Sequence, residues 1–242
     1  MPRRGTVGEC GSGGPRDAGD AAWTRSAAHW MPTRTPQPAM PPRAFGLNCT
    51  LTPSPAPSST QLMLDHVLEA IAGHGFETGH ERLVDLDIKP GIKADEGEGD
   101  DWPAIRRRIL DARILVLATP IWMGQPSSIA KRVFERLNAF LGEIDDDGRY
   151  PTFGRVAVTA VVGNEDGAHH VHAESHQALA DVGFTIPAAA HPYWVGEAMG
   201  SVDYKDLDET PDKVAQTIRT VACNAAHLAK MLEESPYPAP KG

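Results

Sequence analysis

Hydroxyl side chains gather in one segment that precedes a helical pattern, and this combination suits an anion. The hydroxyls of interest belong to Thr50, Ser58, Ser59 and Thr60. The first-turn N–H groups of a helix are unpaired and the helix dipole favours negative charge, so a helix N-terminus binds anions readily. Residues 50–60 contain no Lys or Arg, and the sequence has no Walker A motif. Because neutral donors suit a phosphate monoester better than a triphosphate, we expect a monoester site here.

A second segment offers an apolar and aromatic wall. Its members are Pro120, Ile121, Trp122, Met123 and Gly124. Such side chains pack against a flat ring, and a glycine lets the backbone approach a ligand closely. A third segment, residues 163–167, adds backbone donors and an amide. Its candidate residues are Gly163, Asn164 and Gly167.

These segments lie between strands and helices that alternate along the chain. The unbroken apolar run 114–118 is typical of a strand buried on both faces, and a helical pattern starts at Ser127 after the loop 119–126. The other predicted strands lie at residues 44–51, around 83–86, at 155–162 and within 184–195. Five strands that alternate with five helices predict an α/β fold, a doubly wound parallel sheet with helices on both faces.

The strand order follows from which strands look like edges. The second strand is polar and the fifth contains Pro187 and Pro192, which suits a sheet edge because Pro lacks an N–H donor. This favours the flavodoxin-like five-stranded order 2-1-3-4-5 and places a switch point between strands one and three. The hydroxyl segment and the aromatic segment then face each other there. A phosphate site beside a site for a flat heterocycle describes FMN.

Several local features have simple structural interpretations. Asp101 is predicted to cap a helix, and the last helix is predicted to start with a Thr210 cap and Pro211 in its first turn. The acidic segment 95–101 fits no known metal-binding loop, so we interpret it as a solvated loop. We predict no metal site.

The ends of the chain differ in composition from its middle. Residues 1–43 are rich in Gly, Pro, Arg and Ser, so we predict a disordered extension, a domain over residues 44–235 and a flexible tail over 236–242. Met31 and Met40 precede the first strand, so we expect translation to begin at one of them.

Charge and cysteine usage exclude several partners. The net charge is −9, of which the first 43 residues contribute +3, so the remainder is strongly acidic and nucleic acid is not expected as a partner. Three scattered cysteines predict reduced thiols in a cytoplasmic protein without an iron–sulfur or zinc site. No apolar run approaches the ~18 residues of a membrane span, so no membrane partner is expected.

Residues 45–232 resemble the NAD(P)H-dependent FMN reductases of the flavodoxin-like superfamily. The resemblance lies in Cys49-Thr50 with Ser58-Ser59-Thr60, in the segment TPIWMGQPS at residues 119–127, and in the third segment at residues 163–167. The phosphate segment departs from the family pattern, because the family usually has a shorter loop with an Arg or Lys. The middle motif is therefore the most specific of the three.

The resemblance implies an FMN-dependent enzyme that takes two electrons from NAD(P)H and passes them to a small acceptor such as a quinone, an azo compound or a flavin. It also implies a homodimer or homotetramer with the site near an interface. It requires no protein acid or base, and none is nominated. One alternative is a flavodoxin-type FMN electron carrier without NAD(P)H oxidation. Another, a receiver-like signalling domain, lacks the paired acidic residues expected after strand one.

A histidine cluster spans His169 to His176. His172 and His176 are four residues apart on a predicted helix, so a metal site is one interpretation, although no H-E-x-x-H motif is present. A solvated or partly packed helix start is the simpler interpretation, and contact with substrate or cofactor, foremost by His169, is the third. Tyr193 and Trp194 are expected to be buried, with a flavin or subunit contact as the alternatives.

Overall fold

The structure is a computed structural model that describes residues 41–239. The strands are β1 (Arg43–Asn48), β2 (Glu77–Arg82), β3 (Ile114–Trp122), β4 (Gln125–Pro126), β5 (Val156–Gly163) and β6 (Tyr193–Val195). The helices are α1 (Ser59–Ala72), α2 (Trp102–Asp111), α3 (Ser128–Leu137), α4 (Ala168–Asp181) and α5 (Asp212–Glu234). Residues 1–40 of the predicted disordered extension 1–43, with Met31 and Met40, lie outside the described residues, whereas Arg43 is the first residue of β1.

Five of the strands form a parallel sheet in the order β2-β1-β3-β5-β6. This confirms the predicted order 2-1-3-4-5, because β4 is a two-residue strand that pairs antiparallel with the end of β3 and stands off the main path. In the register, Ala44 lies beside Ile114, and Ile114 lies beside Val156. The carboxyl ends of β1, β3 and β5 therefore finish at one edge of the sheet.

The sheet buries a core on each face, because successive side chains of a strand point to opposite sides. Val116 and Val158 pack with α1 and α5 on one face. Leu115 and Leu117 pack with α2 and α3 on the other. Strand β3 is apolar from Ile114 to Ala118 since it has a neighbour on each side and a helix layer on each face.

The two edge strands were located less well than the central ones. The second strand was predicted around residues 83–86, but β2 ends at Arg82 and Leu83–Asp85 form one turn of 3-10 helix. The sequence of β2 is polar, as suits an edge strand. The apolar residues therefore placed the predicted strand too late in the chain, at Leu83, which is buried against the core. In the fifth region only Tyr193–Val195 form a strand, after both prolines, with one further bridge between Val156 and Thr185.

The predicted loop 119–126 is largely regular structure. Strand β3 continues to Trp122, the chain reverses at Met123 and Gly124, and β4 follows. Both turn residues have positive φ, 53° and 70°. This is the signature of a two-residue type I′ hairpin, whose twist matches that of the flanking strands. The aromatic segment is therefore a rigid hairpin tip.

Two helix caps differ from the predictions. Asp101 occupies the cap position of α2 without a capping side-chain bond, and its carboxylate instead accepts the Asp87 N–H at 2.8 Å. Pro211 itself takes the cap position of α5, so it does not lie in the first turn. In the predicted tail, the Tyr237 hydroxyl lies 2.9 Å from Thr185 Oγ1, and flexibility of residues 236–242 stays a prediction.

The acidic segment 95–101 is not simply solvated. The Asp100 carboxylate is fully buried and pairs with Arg136 at 2.7 Å. Hydrogen bonds from Arg136 and from backbone N–H groups outweigh the desolvation of Asp100 and hold its pKa far below its usual range. The Arg136 guanidinium also donates to the carbonyls of Lys89 and Lys93, so it ties the segment to α3. The solvated-loop prediction was wrong for Asp100 because pairing with a distant residue determines its burial.

Candidate functional site

A cavity of about 580 Å³ opens where β1, β3 and β5 end. Its volume lies within the ~300–1,000 Å³ range of small-molecule pockets. Ten of the twelve predicted site residues line it. They are Thr50, Ser58, Ser59, Thr60, Pro120, Ile121, Trp122, Met123, Gly163 and Asn164. The strand order thus brings the three predicted segments together, as the sequence implied.

One end of the cavity is formed by the N-terminus of α1. Ser58 caps this helix, and its Oγ accepts the Gln61 N–H at 3.3 Å. Ser59 and Thr60 follow as the first helical residues, and both line the cavity. Thr50 closes the same end from the tip of β1, where its N–H donates to Asn48 Oδ1 at 3.0 Å. This end therefore offers hydroxyls and helix-terminal N–H groups to an anion.

The outer side of the segment 50–60 is braced by the end of β2. Arg82 donates to the Ala56 carbonyl at 2.8 Å, and Asp85 accepts the Ser54 N–H at 2.9 Å. Bonds from Ser54 lower the pKa of the Asp85 carboxyl. Ser54 thus turns toward β2 and is not among the residues that line the cavity. These contacts tie the proline-rich loop between residues 50 and 60 to the end of β2 and the turn that follows it.

That loop contains three prolines, Pro53, Pro55 and Pro57. Since proline has no N–H donor, few backbone bonds are available within the loop. Bracing by Arg82 and Asp85 therefore contributes much of its order.

A cation reaches the anion end from a part of the chain that the sequence did not indicate. Of the described residues that line the cavity, Lys205 alone is a Lys or Arg. Its backbone N–H donates to Ser59 Oγ at 3.2 Å, and its Nζ lies 2.7 Å from Asp203 and 2.9 Å from Asp206. Hydrogen bonds that the Lys205 ammonium donates to both carboxylates raise its pKa. Because two carboxylates pair with Lys205, this group brings a cation to the anion end but no net positive charge.

The other end of the cavity is apolar. Ile121 is buried, whereas Trp122 is 54% exposed and Met123 is 89% exposed. Trp194 also lines the cavity and packs against Tyr204 with ring centroids 5.6 Å apart. Tyr193 instead faces α4, where its ring meets His169. An exposed Trp and Met on a rigid hairpin tip form a surface on which a flat ring can pack.

The two predicted residues that do not line the cavity support its wall from behind. A Cβ on Gly167 would lie 2.8 Å from Gly124 Cα, so the two backbones are in direct contact. A Cβ on Gly163 would lie 2.9 Å from Ile121 Cβ, so this position also requires a glycine. Gly124 and Gly167 were predicted as ligand contacts. The structure gives them a packing role, because the backbone of Gly124 occupies the space that a side chain on Gly167 would need.

Sequence reasoning missed several cavity residues. They are Leu51, Thr52, Pro57, Val162, Glu165, Met199, Gly200, Asp203, Tyr204 and Lys205, whereas Trp194 was named with a flavin contact as an alternative. Half of them belong to the segment 199–205, which reaches the site because Tyr204 is buried and places its hydroxyl 2.9 Å from His66 Nδ1 of α1. No periodicity or motif marks this docking. In the sequence, the only signal for this docking was one aromatic residue, Tyr204, in a largely polar segment.

The histidine cluster forms a buried network away from the cavity lining, in which His172 Nε2 has no hydrogen-bond partner. The Thr159 hydroxyl lies 2.5 Å from His172 Nδ1 and 2.9 Å from His176 Nε2, which is also 3.2 Å from the Ala190 carbonyl. We assign the proton of His176 to Nε2, since only a donor can bond that carbonyl. His172 is 4% exposed, and burial, assisted by the neighbouring histidines, lowers its pKa to about 3.

His169 is exposed and makes edge-to-face contact with Tyr193 at 5.3 Å. It is not among the residues that line the cavity. Within residues 41–239, no group of three or more His, Cys, Asp or Glu side chains is arranged to hold a metal ion. None of the helices in the same range has the length and apolar character needed to span a bilayer.

The cavity residues fit FMN. Hydroxyls and a helix N-terminus at one end match a phosphate monoester, and Ile121, Trp122 and Trp194 at the other match a flat heterocycle. The cavity lining is polar at one end and apolar at the other, as FMN requires.

Comparison with known proteins agrees with this geometry. The model of a family described as NADPH-dependent FMN reductase matches residues 43–198. The chain is 36% identical over 208 residues to 8-demethyl-8-aminoriboflavin-5'-phosphate synthase of Streptomyces davaonensis, across 81% of this chain and 80% of that protein. It is 38% identical over 206 residues to a Mycobacterium bovis protein named divalent metal cation transporter MntH. That match covers 80% of this chain and only 30% of the M. bovis protein.

Solved structures give the same result. RosB with bound 8-demethyl-8-formylriboflavin-5'-phosphate is 34% identical, with a TM-score of 0.73 over 81% of this chain and 82% of RosB. A flavodoxin from the domain Archaea is 8% identical, with a TM-score of 0.51 over 78% of this chain and 99% of that one. The second likeness concerns the fold alone, and it confirms the flavodoxin-like architecture.

Proposed function

This chain belongs to the NADPH-dependent FMN reductase family, and from that premise we propose that it is an FMN-dependent oxidoreductase. In this proposal it takes two electrons from NAD(P)H and passes them to a small acceptor such as a quinone, an azo compound or a flavin. Family membership confirms the predicted use of FMN and NAD(P)H. The acceptor and the choice between NADH and NADPH belong to the proposal.

One observation supports the proposal above all others. A single cavity joins the hydroxyl-rich N-terminus of α1 to the apolar hairpin tip at Trp122 and Met123. In the proposal, Thr50, Ser58, Ser59 and Thr60 hold the phosphate with neutral donors, and Lys205 lies beside them in a pair with Asp203 and Asp206. Ile121, Trp122 and Met123 orient the ring, while Gly163 and Asn164 close the far side.

FMN, when bound, accepts a hydride from a nicotinamide and passes two electrons to the acceptor. The protein's own residues bind and orient, and they keep water from the buried side of the cavity. The exposed faces of Trp122 and Met123 leave that end open to a second flat molecule. No side chain is assigned as an acid or base, and the catalytic residues stay unassigned.

The proposal is tested by reconstitution. Protein stripped of flavin is mixed with FMN, the absorption spectrum is recorded, and oxidation of NADH and NADPH is followed with a quinone or azo dye as acceptor. We expect FMN to bind and at least one nicotinamide to be oxidised with turnover. A protein that binds FMN without oxidising either nicotinamide would support the electron-carrier alternative. A protein that binds no FMN would overturn both.

A second candidate follows from the comparison. The Streptomyces davaonensis relative is named for synthesis of an amino derivative of riboflavin phosphate, and RosB holds a formyl derivative. The identity of 36% extends along 80% of that relative, so the flavin phosphate in this cavity is, in this candidate, a substrate. Mass spectrometry of the flavin after turnover separates the two candidates. An unchanged FMN mass supports a cofactor role.

The remaining expectations belong to the same proposal. We propose a domain over residues 44–235, a cytoplasmic location inferred from the cysteine pattern, and a homodimer or homotetramer implied by the family resemblance. The partners are small molecules, with no nucleic acid or membrane among them. Light scattering of the purified protein tests the oligomeric state, and a monomeric mass would remove that part of the proposal.

A further inference from the structure

The hairpin tip beside the cavity has an unusual backbone. Met123 has a φ of 53°, in the left-handed region that non-glycine residues rarely adopt. Gly124 follows with a φ of 70°. A Met in this conformation persists only where its surroundings hold it, and such positions cluster at ligand sites. Something must therefore stabilise the turn.

Glu165 supplies that stabilisation from the third segment. Its Oε1 accepts the Met123 N–H at 3.0 Å, and its Oε2 accepts the Gly124 N–H at 3.2 Å. One carboxylate thus bonds both N–H groups of the turn. Hydrogen bonds to a charged group are stronger than those between neutral groups.

The position of Glu165 is fixed from both sides. Next to it in the chain, Asn164 donates from Nδ2 to Asp203 Oδ1 at 2.8 Å. Two residues beyond it, Gly167 packs directly against Gly124. Glu165 is half-buried and lines the cavity together with Trp122 and Met123. A carboxylate is therefore held in the wall where the proposed ring site lies.

We propose that Glu165 is a positioning residue that holds the Met123–Gly124 turn for the flavin ring and keeps the reduction potential of bound FMN low. This inference rests on the proposed function, since it takes FMN as the ligand. Reduction adds two electrons to the flavin from the titrant. A fixed negative charge in the cavity wall disfavours that added electron density, because like charges repel more strongly in a partly buried site than in water.

The first experiment separates the charge of Glu165 from its hydrogen bonds. The wild type and the variants Glu165→Gln and Asp166→Asn are reconstituted with FMN, and the midpoint potential is measured by reductive titration. Glu165→Gln keeps an oxygen acceptor and loses the charge. Asp166→Asn removes the same charge from the exposed neighbouring residue. We expect a more positive potential for Glu165→Gln and a much smaller shift for Asp166→Asn. Equal shifts, or no shift in either variant, would overturn the inference.

The second experiment tests the positioning role. Glu165→Ala removes both hydrogen bonds, so we expect the Kd for FMN to rise about tenfold. The Kd for riboflavin should rise by the same factor, because the effect acts on the ring and not on the phosphate. An unchanged Kd for both flavins would overturn the positioning role. If the wild type itself binds no FMN, the proposed function fails, and that result is distinct from normal FMN binding with an unaltered potential in Glu165→Gln.

Discussion

The flavin cavity and the histidine network under β5 both contain many polar side chains. The two regions differ in whether those side chains face one another or an open cavity. In the network, Thr159, His172 and His176 bond one another and the Ala190 carbonyl. At the cavity, Ser59 and Thr60 begin a helix whose N-terminus lines the open cavity, and Ser59 Oγ accepts one bond, from the Lys205 N–H. Polar groups that bond each other inside the core have little capacity left for a ligand.

The difference shows why residue type and spacing are insufficient on their own to identify a binding site. Three histidines within five residues of a helix resemble a metal site more than a run of serines resembles a ligand site. Yet the helix packs its His172 face on β5, and the topology places the serines at the switch point. Position relative to the carboxyl ends of the strands is the better guide.

The largest expected effect comes from a negative charge at the anion end. Ser59→Asp puts a carboxylate in the first turn of α1, where helices tolerate it well. Because two charges ~4 Å apart interact by ~4 kcal/mol near a protein surface, the Kd for FMN should rise at least ~100-fold. Titration should show little change for riboflavin, which lacks the phosphate, and Ser59→Ala is the matched control. An equal rise in the Kd for both flavins would show that the phosphate does not bind at this end.

The next effect concerns the histidine network and acid stability. His172 has a pKa of about 3 against an ordinary value of 6.5, so the folded state binds fewer protons than the unfolded state between these values. Stability is full above about pH 6.5 and is lost as the pH falls toward 3. The loss from His172 alone is about 2 kcal/mol between about pH 7 and about pH 5.

Urea unfolding at several pH values checks this expectation. His172→Gln should flatten the dependence of the unfolding free energy on pH by about that amount. His227→Gln, a substitution at an exposed position of α5, serves as the control. Identical slopes for the wild type and His172→Gln would contradict the claim that burial holds His172 neutral.

A smaller effect is expected at the apolar end. Trp122→Ala removes an aromatic surface whose stacking contributes about 0.5–1.5 kcal/mol, so the Kd should rise about fivefold for FMN and riboflavin alike. Met231→Ala, at an exposed position of α5, controls for the loss of a surface apolar side chain. Unchanged Kd values would show that Trp122 is an ordinary surface residue that does not contact the flavin ring.

The smallest expected effect is at His169. Its ring contacts Tyr193 and is not part of the cavity lining, so His169→Ala should leave both FMN affinity and NAD(P)H oxidation unchanged. A several-fold loss of turnover would restore His169 as a substrate contact and would make the two regions less distinct than proposed.

The central part of the fold was predictable because β3 is covered on all sides and is apolar for that reason. Strand β2 was not, since its edge position allows polar residues and its only strong apolar signal, Leu83, lies beyond its end. Glu165 and Lys205 escaped prediction for another reason. Their roles depend on how two loops dock, which in turn depends on one buried Tyr204 and on contacts between glycines.

The most direct test of the central claim is an anaerobic titration. Flavin-free protein is given one equivalent of FMN, and NADPH or NADH is then added while the flavin absorbance is followed. The account predicts that FMN binds and that its absorbance is bleached with one nicotinamide consumed per chain. Bound FMN that neither nicotinamide bleaches, or protein that binds no FMN, would contradict it.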